Sequence, residues 1–378
     1  MYLDKDVYEC AINRINFLLE EFDEILVWVS GGKDSTVIFN MVKELAIKQG
    51  RKYMYIGWID QEAEWQHTVE IIKKWMYDDF VKPIWVQVPM RLSNATCTRK
   101  DFLECWNEDE KHLWMREKDP IARKENVYGT DRFHKLFDGI SAYEFGDKNT
   151  CCIGGLRTSE SPARFRSITA QECYRGITWG KKHSIKRNNI FTFYPIYDWS
   201  FTDVWKAIYD NDWEYNKIYD YYYQYGLPQQ KMRVSNLHHE VAMDKLFYMQ
   251  EIEPETHNRL CNRLEGIKSA SQFGEDNYFV YKLPFMFKDW KEYRDYLLEK
   301  LIKPEHQELF RKRFHAQDLE FEDEIYYKRC LKTHVQSILA NDWESGVKMA
   351  NFQVRNSDKR TVANRKRKQQ LEVEQYEP

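Results

Sequence analysis

The chain has 378 residues, room for two domains of ordinary size or one large α/β domain with additions. Hydrophobic residues make up 43% and charged residues 31%, which weighs against a disordered chain, and 15 Gly with 10 Pro weigh against a collagen-like or linker-dominated one. The formal net charge is −3, so the protein is not basic all over, although local patches stay open, and aromatics reach 16%.

The N-terminal stretch MYLDKDVYEC lacks a basic segment followed by an apolar core, so no signal peptide is predicted. No apolar run approaches the ~18–20 residues of a membrane span. The eight cysteines, Cys10, Cys97, Cys105, Cys151, Cys152, Cys173, Cys261 and Cys330, contain no CxxC pair. That usage predicts buried packing in a reducing, cytoplasmic compartment rather than a disulfide framework or a zinc site.

Residues 6–22 carry Val7, Ile12, Ile15, Leu18 and Leu19 at helical spacing. Glu24–Ser30 is a nearly continuous apolar run, which suits a strand buried on both faces. Gly31–Gly32 breaks it, and a helix is predicted from Ser35 to Gly50. Tyr53–Ile59 is a second strand, residues 64–79 a helix, and Pro83–Val88 a third strand. This alternation predicts a doubly wound, mainly parallel α/β sheet with ligands at the carboxyl ends of its strands. Residues 91–150 interrupt the alternation and read as a helical insertion covering the site, where Trp106, Trp114 and Tyr128 are positioned to close over a ligand. Phe191–Tyr197 returns as a strand, and a helix follows with Ser200 or Thr202 as its cap. The predicted units are 1–240, a mainly helical 241–350, and a charged tail 351–378. In the tail, Arg355–Lys368 carries seven Lys/Arg against one acid, a run suited to nucleic-acid phosphates or to solubility.

The strongest signal is Ser30-Gly31-Gly32-Lys33-Asp34-Ser35, between a buried strand and a helix. Two glycines allow close approach by an anion, the helix terminus adds free N–H donors, Ser30 and Ser35 add hydroxyls, and Lys33 adds a full charge. Asp34 would repel phosphate directly, so its useful roles are to hold Mg²⁺ or to fix the loop. A second constellation runs Cys151-Cys152-Ile153-Gly154-Gly155-Leu156-Arg157-Thr158-Ser159-Glu160-Ser161-Pro162-Ala163-Arg164. Arg157, Arg164 and Arg166 offer planar donor forks, and residues 157–187 hold eight Lys/Arg against two acids, a predicted oxyanion funnel.

The SGGKDS string resembles the phosphate loop of the PP-loop (adenine nucleotide α-hydrolase-like, HUP-like) superfamily. GLRTSES followed by Arg164, then Tyr194–Trp199, Asp203–Trp205 and Tyr215–Tyr219, resemble the phosphoadenosine phosphosulfate (PAPS) reductase-like branch over about residues 20–240. The resemblance implies ATP held by its pyrophosphate, with adenylyl transfer to an anionic acceptor that the sequence does not identify. Ser30, Gly31, Gly32, Lys33, Ser35, Gly155, Arg157, Ser161 and Arg164 would form the site, Asp34 would hold Mg²⁺, and Asp60 would contact ribose or metal. Lys33, Asp34, Arg157 and Arg164 are the expected catalytic set. The segment 97–120, with Cys105-Trp106, Trp114 and Arg116-Glu117, resembles the immunoglobulin-binding regulator A proteins, a subgroup of prophage co-activators. That subgroup implies a ParB-like protein partner and a C-terminal domain of unknown function.

Three departures separate the chain from true reductases. Its phosphate loop is intact, it lacks their C-terminal ECG[IL]H cysteine segment, and Cys151–Cys152 has no later CxxC to complete an iron–sulfur cluster. A reductase using Cys151 or Cys152, its thiol pKa lowered by nearby Arg157, stands as the alternative enzyme. A nucleotide-sensing regulator is the non-enzymatic alternative.

Overall fold

The structure is a computed structural model that describes residues 5–94, 96, 102–169, 172–182, 189–234, 237, 243–271, 282–318 and 324–339. Cys97, the His238–His239 pair and the Arg355–Lys368 run lie outside the described residues. The chain divides into two compact units. One comprises Met1–Leu92, Leu103–Leu237 and Tyr248–Leu264, and the other Ser93–Phe102, His238–Phe247 and the chain from Glu265. Tyr248–Leu264, which follows the boundary expected at 240, groups with the first unit.

That unit is built on a six-stranded sheet in the order β3-β2-β1-β6-β8-β7. Helix α1 (Val7–Glu21) starts where the Asp6 carboxylate accepts the Glu9 N–H at 2.8 Å, and it buries Ala11, Ile15, Leu18 and Leu19. Strand β1 (Glu24–Trp28) is apolar on both faces because it lies mid-sheet, parallel to β2 (Met54–Ile59) and to β6 (Thr150–Ile153). Helix α2 (Lys33–Lys48) links β1 to β2, and α3 (Gln66–Met76) links β2 to the parallel β3 (Val81–Val86).

The insertion is less helical than its charge pattern predicts. Strands β4 (Met90–Ser93) and β5 (Phe102–Cys105) form a separate two-stranded ribbon, Glu108–Leu113 is a 3₁₀ turn, and α4 (Phe133–Phe145) is the insertion's one α-helix among the described residues. Strand β6 was not anticipated by its sequence, since four residues next to a Gly/Arg-rich stretch carry too short an apolar run. After α5 (Pro162–Thr169), β7 (Gly180–Lys182) closes the edge antiparallel to β8 (Ile190–Phe193), which itself runs parallel to β6. Helix α6 (Phe201–Asp210) is capped by Ser200 in a reciprocal box with Asp203. Helix α7 (Ile218–Gln224), α8 (Met243–Ile252) and α9 (Pro254–Arg263) follow.

Aromatic residues go largely into packing. Phe22 packs against Tyr174, Phe191 and Phe193 with ring centroids 5.3–6.1 Å apart. In the second unit, α10 (Trp290–Lys300), α11 (Pro304–Asp318) and α12 (Glu324–Leu339) enclose a core that includes Phe310, Phe314, Val335 and Ile338.

Candidate anion-binding site

Strand order reverses direction between β1 and β6. The chain leaves β1 toward β2 and β3 on one side, and leaves β6 toward β8 on the other. Such a switch point opens a crevice at the carboxyl ends of the two strands. Ser30–Ser35 follows β1 there, and Gly154–Arg157 follows β6.

The first loop is shaped by its glycines. Gly31 has φ +69°, and a Cβ on it would stand 2.7 Å from Thr68 Cγ2, so only glycine fits. Gly32 caps this 16-residue helix without a side-chain acceptor of its own, so the first-turn N–H groups of α2 must find partners elsewhere. The Ser30 N–H donates to Ser35 Oγ at 3.0 Å, and the two hydroxyls lie 2.9 Å apart. Two residues of the Tyr215–Tyr219 motif brace the loop. Asn216 Nδ2 donates to the Gly31 carbonyl at 3.0 Å and to Thr68 Oγ1 at 2.9 Å, while the Lys33 N–H donates to Tyr219 Oη at 3.1 Å. In sequence, Tyr215–Tyr219 carries the family resemblance without assigning Asn216 or Tyr219 a role.

Asp34 joins the two loops. Its Oδ2 accepts from Lys33 Nζ at 2.9 Å and its Oδ1 from Arg157 Nε. Gly155 permits this closeness, because a Cβ there would stand 2.9 Å from the Asp34 backbone. Arg157 is only 4% exposed, and it also donates through Nη1 to Ser159 Oγ at 3.1 Å and through Nη2 to Glu160 Oε1 at 3.2 Å. The other Glu160 oxygen pairs with Arg164, whose own N–H donates to Ser161 Oγ at 3.2 Å as α5 begins. Burial lowers the pKa of the Lys33 ammonium, Asp34 opposes that, and the charges of Arg157 and Arg233 reinforce it. Burial likewise lowers the Arg164 guanidinium, helped by Arg233 and Arg157. The structure thus brings together Ser30, Gly31, Gly32, Lys33, Asp34, Ser35, Gly155, Arg157, Ser161 and Arg164, and adds Glu160 and Arg233. The eight-cation funnel is not a single patch: Arg175, for one, pairs with Glu21 of α1 at 2.6 Å.

Asp60 departs from its expected role. It is fully buried, with Oδ2 accepting from Trp85 Nε1 at 2.9 Å and Gln87 Nε2 at 2.8 Å, and Oδ1 from the Glu62 N–H at 3.0 Å and from Arg116. Four protein donors fill the four lone-pair directions of a carboxylate, so none is left for ribose or metal. Beside it, Glu62 accepts from the Trp106 N–H at 2.8 Å and from Arg263 Nε at 2.7 Å, and both partners of that ion pair are 0% exposed. Trp106 is also fully buried and donates its indole N–H to the Asp60 carbonyl at 2.7 Å, which removes it as a stacking lid. Tyr128 is 8% exposed and packs edge-on against Tyr143, so it too is wall rather than lid.

Cys151 and Cys152 show the buried packing expected of the cysteines and depart only from the alternative of an activated thiol. Both lie inside the sheet at 0% exposure, and burial pushes the Cys151 thiol well up and the Cys152 thiol to about 11. Desolvation outweighs any pull from Arg157, which leaves β6 with protonated, shielded thiols. Among the described residues, no three His, Cys, Asp or Glu side chains form a group that could hold a metal ion. The described helices include none long and apolar enough to cross a membrane.

Comparison with known proteins adds a family. The sequence model of the phosphoadenosine phosphosulfate reductase domain matches residues 24–225, and that of a domain of unknown function, DUF3440, matches residues 226–377. The chain is 27% identical over 312 residues to the uncharacterized protein YbdN of Escherichia coli (strain K12), covering 79% of this chain and 76% of that protein. Among solved structures, it is similar to the phosphate complex of phosphoadenylyl-sulfate reductase from Candida auris, with TM-score 0.31 and 11% identity over 63% of this chain and 97% of that one. It is also similar to Candida glabrata FMN adenylyltransferase in complex with FMN and the ATP analog AMPCPP, with TM-score 0.37 and 11% identity over 58% of this chain and 64% of that one.

Proposed function

The chain belongs to the phosphoadenosine phosphosulfate reductase domain family, and on that footing we propose that it is an ATP-using enzyme that adenylylates an anionic acceptor. One observation carries the reading: an intact phosphate loop and an arginine-bearing loop meet at the sheet's switch point, joined through Asp34. The first-turn N–H groups of α2 other than that of Lys33, with the Lys33 ammonium, Ser30 and Ser35, would hold the β- and γ-phosphates. Arg157 and Arg164 would face the acceptor and the charge that develops at the α-phosphate.

In the reaction, an acceptor oxygen or sulfur attacks the α-phosphorus. The bond from that phosphorus to the bridging oxygen of the β-phosphate breaks, and pyrophosphate leaves with the electron pair. Preorganised cations lower the barrier because they bind charge that is larger in the transition state than in the substrate. A Mg²⁺ fits the donor set only when it arrives on the phosphates, since Asp34 is a single carboxylate already shared by two cations, and there it would neutralise the leaving pyrophosphate.

The intact loop and the shielded Cys151 and Cys152 favour this chemistry over reduction by those thiols. Incubation with α-labelled ATP and magnesium, across sulfate, phosphate, carboxylate and thiol acceptors, tests it. Release of pyrophosphate with AMP or an adenylylated acceptor is expected. Release of neither from any acceptor overturns the reading.

A further inference from the structure

We propose that Glu253 is a positioning residue for the phosphate loop: it supplies the cap that α3 lacks, and α3 in turn holds Gly31 through Thr68. The proposal rests on reading residues 30–35 as a phosphate loop, but not on the acceptor or on the reaction drawn above.

Trp65, at the start of α3, brings no capping side chain. Glu253 does so from 187 residues along the chain: its Oε2 accepts the Gln66 N–H at 2.7 Å and its Oε1 the His67 N–H at 3.1 Å, and the same Oε1 meets His67 Nδ1. One carboxylate thus satisfies the first two N–H groups of an 11-residue helix, at the end where its dipole favours negative charge. Glu253 is itself buried and firmly mounted. Its N–H donates to the Met249 carbonyl at 2.9 Å and its own carbonyl accepts the His257 N–H at 2.9 Å, which joins the end of α8 to the start of α9.

The next residue of α3 carries the effect to the loop. Thr68 is fully buried, and its N–H turns back to the Trp65 carbonyl at 3.0 Å. Its Cγ2 is the atom that leaves no room for a Cβ on Gly31, and its Oγ1 shares Asn216 Nδ2 with the Gly31 carbonyl. A shift in the first turn of α3 therefore moves both the wall and the tether of Gly31, because a close-packed interior passes such strain on. Glu253 falls within residues 226–377, matched by the domain of unknown function, so the proposal gives that stretch a part in nucleotide binding.

The test is hydrogen–deuterium exchange of the full chain without ligand, paired with calorimetric titration with pyrophosphate. In Glu253→Ala, exchange should quicken about fivefold at residues 66–68 and also at the Ser30, Lys33 and Thr36 amides of the loop, the usual worth of a lost helix cap. Pyrophosphate should bind more weakly by a similar factor. Arg263→Met is the control for destabilisation alone: Arg263 ends the same helix α9, but it bonds Glu62, Glu110 and the Glu104 carbonyl rather than α3. In that variant the loop amides and the pyrophosphate affinity of the folded protein should stay near wild type. Glu253→Gln keeps the size and one acceptor oxygen. It should fall between wild type and Glu253→Ala, and it carries the test if the alanine variant does not fold. Faster exchange at residues 66–68 with unchanged loop amides and unchanged pyrophosphate affinity would make Glu253 a local cap and overturn the proposal. Equal changes in the loop of Arg263→Met would overturn it too. Pyrophosphate binding to neither wild type nor variants would instead overturn the phosphate-loop reading itself.

Discussion

Two neighbouring strand ends use the same side chains for opposite ends. At β1 and β6, Lys33, Arg157 and Arg164 meet Asp34 and Glu160; at β2, Arg116 and Arg263 meet Asp60, Glu62 and Glu64. Beside β2 the carboxylates are filled: Asp60 accepts four protein donors and both partners of Glu62–Arg263 are fully buried, although the buried Arg116 Nε finds no partner among the described residues. At β1 and β6 Asp34 instead bridges cations of two separate loops, and Gly32 at the start of α2 brings no capping side chain of its own. Charge count alone does not separate a brace from a binding site. What separates them is whether the carboxylate lone pairs are spent within one buried cluster, as for Asp60, or shared between two loops, as for Asp34.

The sharpest way to break that contrast is Arg263→Met. It leaves Glu62 charged and buried without its main partner, and such breaks cost about 3–5 kcal/mol. Chemical denaturation should show that loss, while dianion binding in the remaining folded fraction stays near wild type. A loss below 1 kcal/mol would mean that the β2 cluster is not a brace.

Arg157→Ala should do the reverse. Turnover should fall by about 10²-fold, in line with losing one preorganised donor to developing charge. The unfolding midpoint should move far less than in Arg263→Met. Unchanged turnover would remove Arg157 from the site.

A pH series sharpens the comparison further. Burial, then the charge of Asp60, pushes Glu64 from its ordinary 4.5 up to about 8. The folded protein holds a proton there that the unfolded chain releases, so this contribution to stability is full below 4.5 and is lost as pH rises to about 8. Glu64→Gln should match wild type at low pH and exceed it progressively toward pH 8. Parallel curves across that range would mean that Glu64 is ionised in the fold.

The smallest expected effect concerns β6. Iodoacetamide at neutral pH should leave Cys151 and Cys152 unmodified in the native protein, and Cys151→Ser and Cys152→Ser should retain adenylyl transfer. Rapid alkylation of either thiol in the native protein would reopen the reductase reading.

Local pattern determined much of this molecule. The apolar run bounded by a Gly pair marked the interior strand β1, and SGGKDS after it marked the tight turn into α2; both were legible in one pass along the chain. GLRTSES drew attention to Arg157 and Arg164, which the fold sets close to that turn. Tertiary structure decided everything that depended on burial and partners. Asp60 and Trp106 looked like ligand contacts until Trp85, Gln87, Arg116 and the backbone filled them. Cys151 looked activated by an arginine six residues on, yet lies inside a strand where desolvation rules. Tyr219, Asn216 and Arg263 come from distant segments, and no local spacing announces a bond across 185 or 201 residues. Hydrogen bonding and dielectric depend on the three-dimensional neighbourhood, so sequence chose the groups and the fold chose which of them remained available.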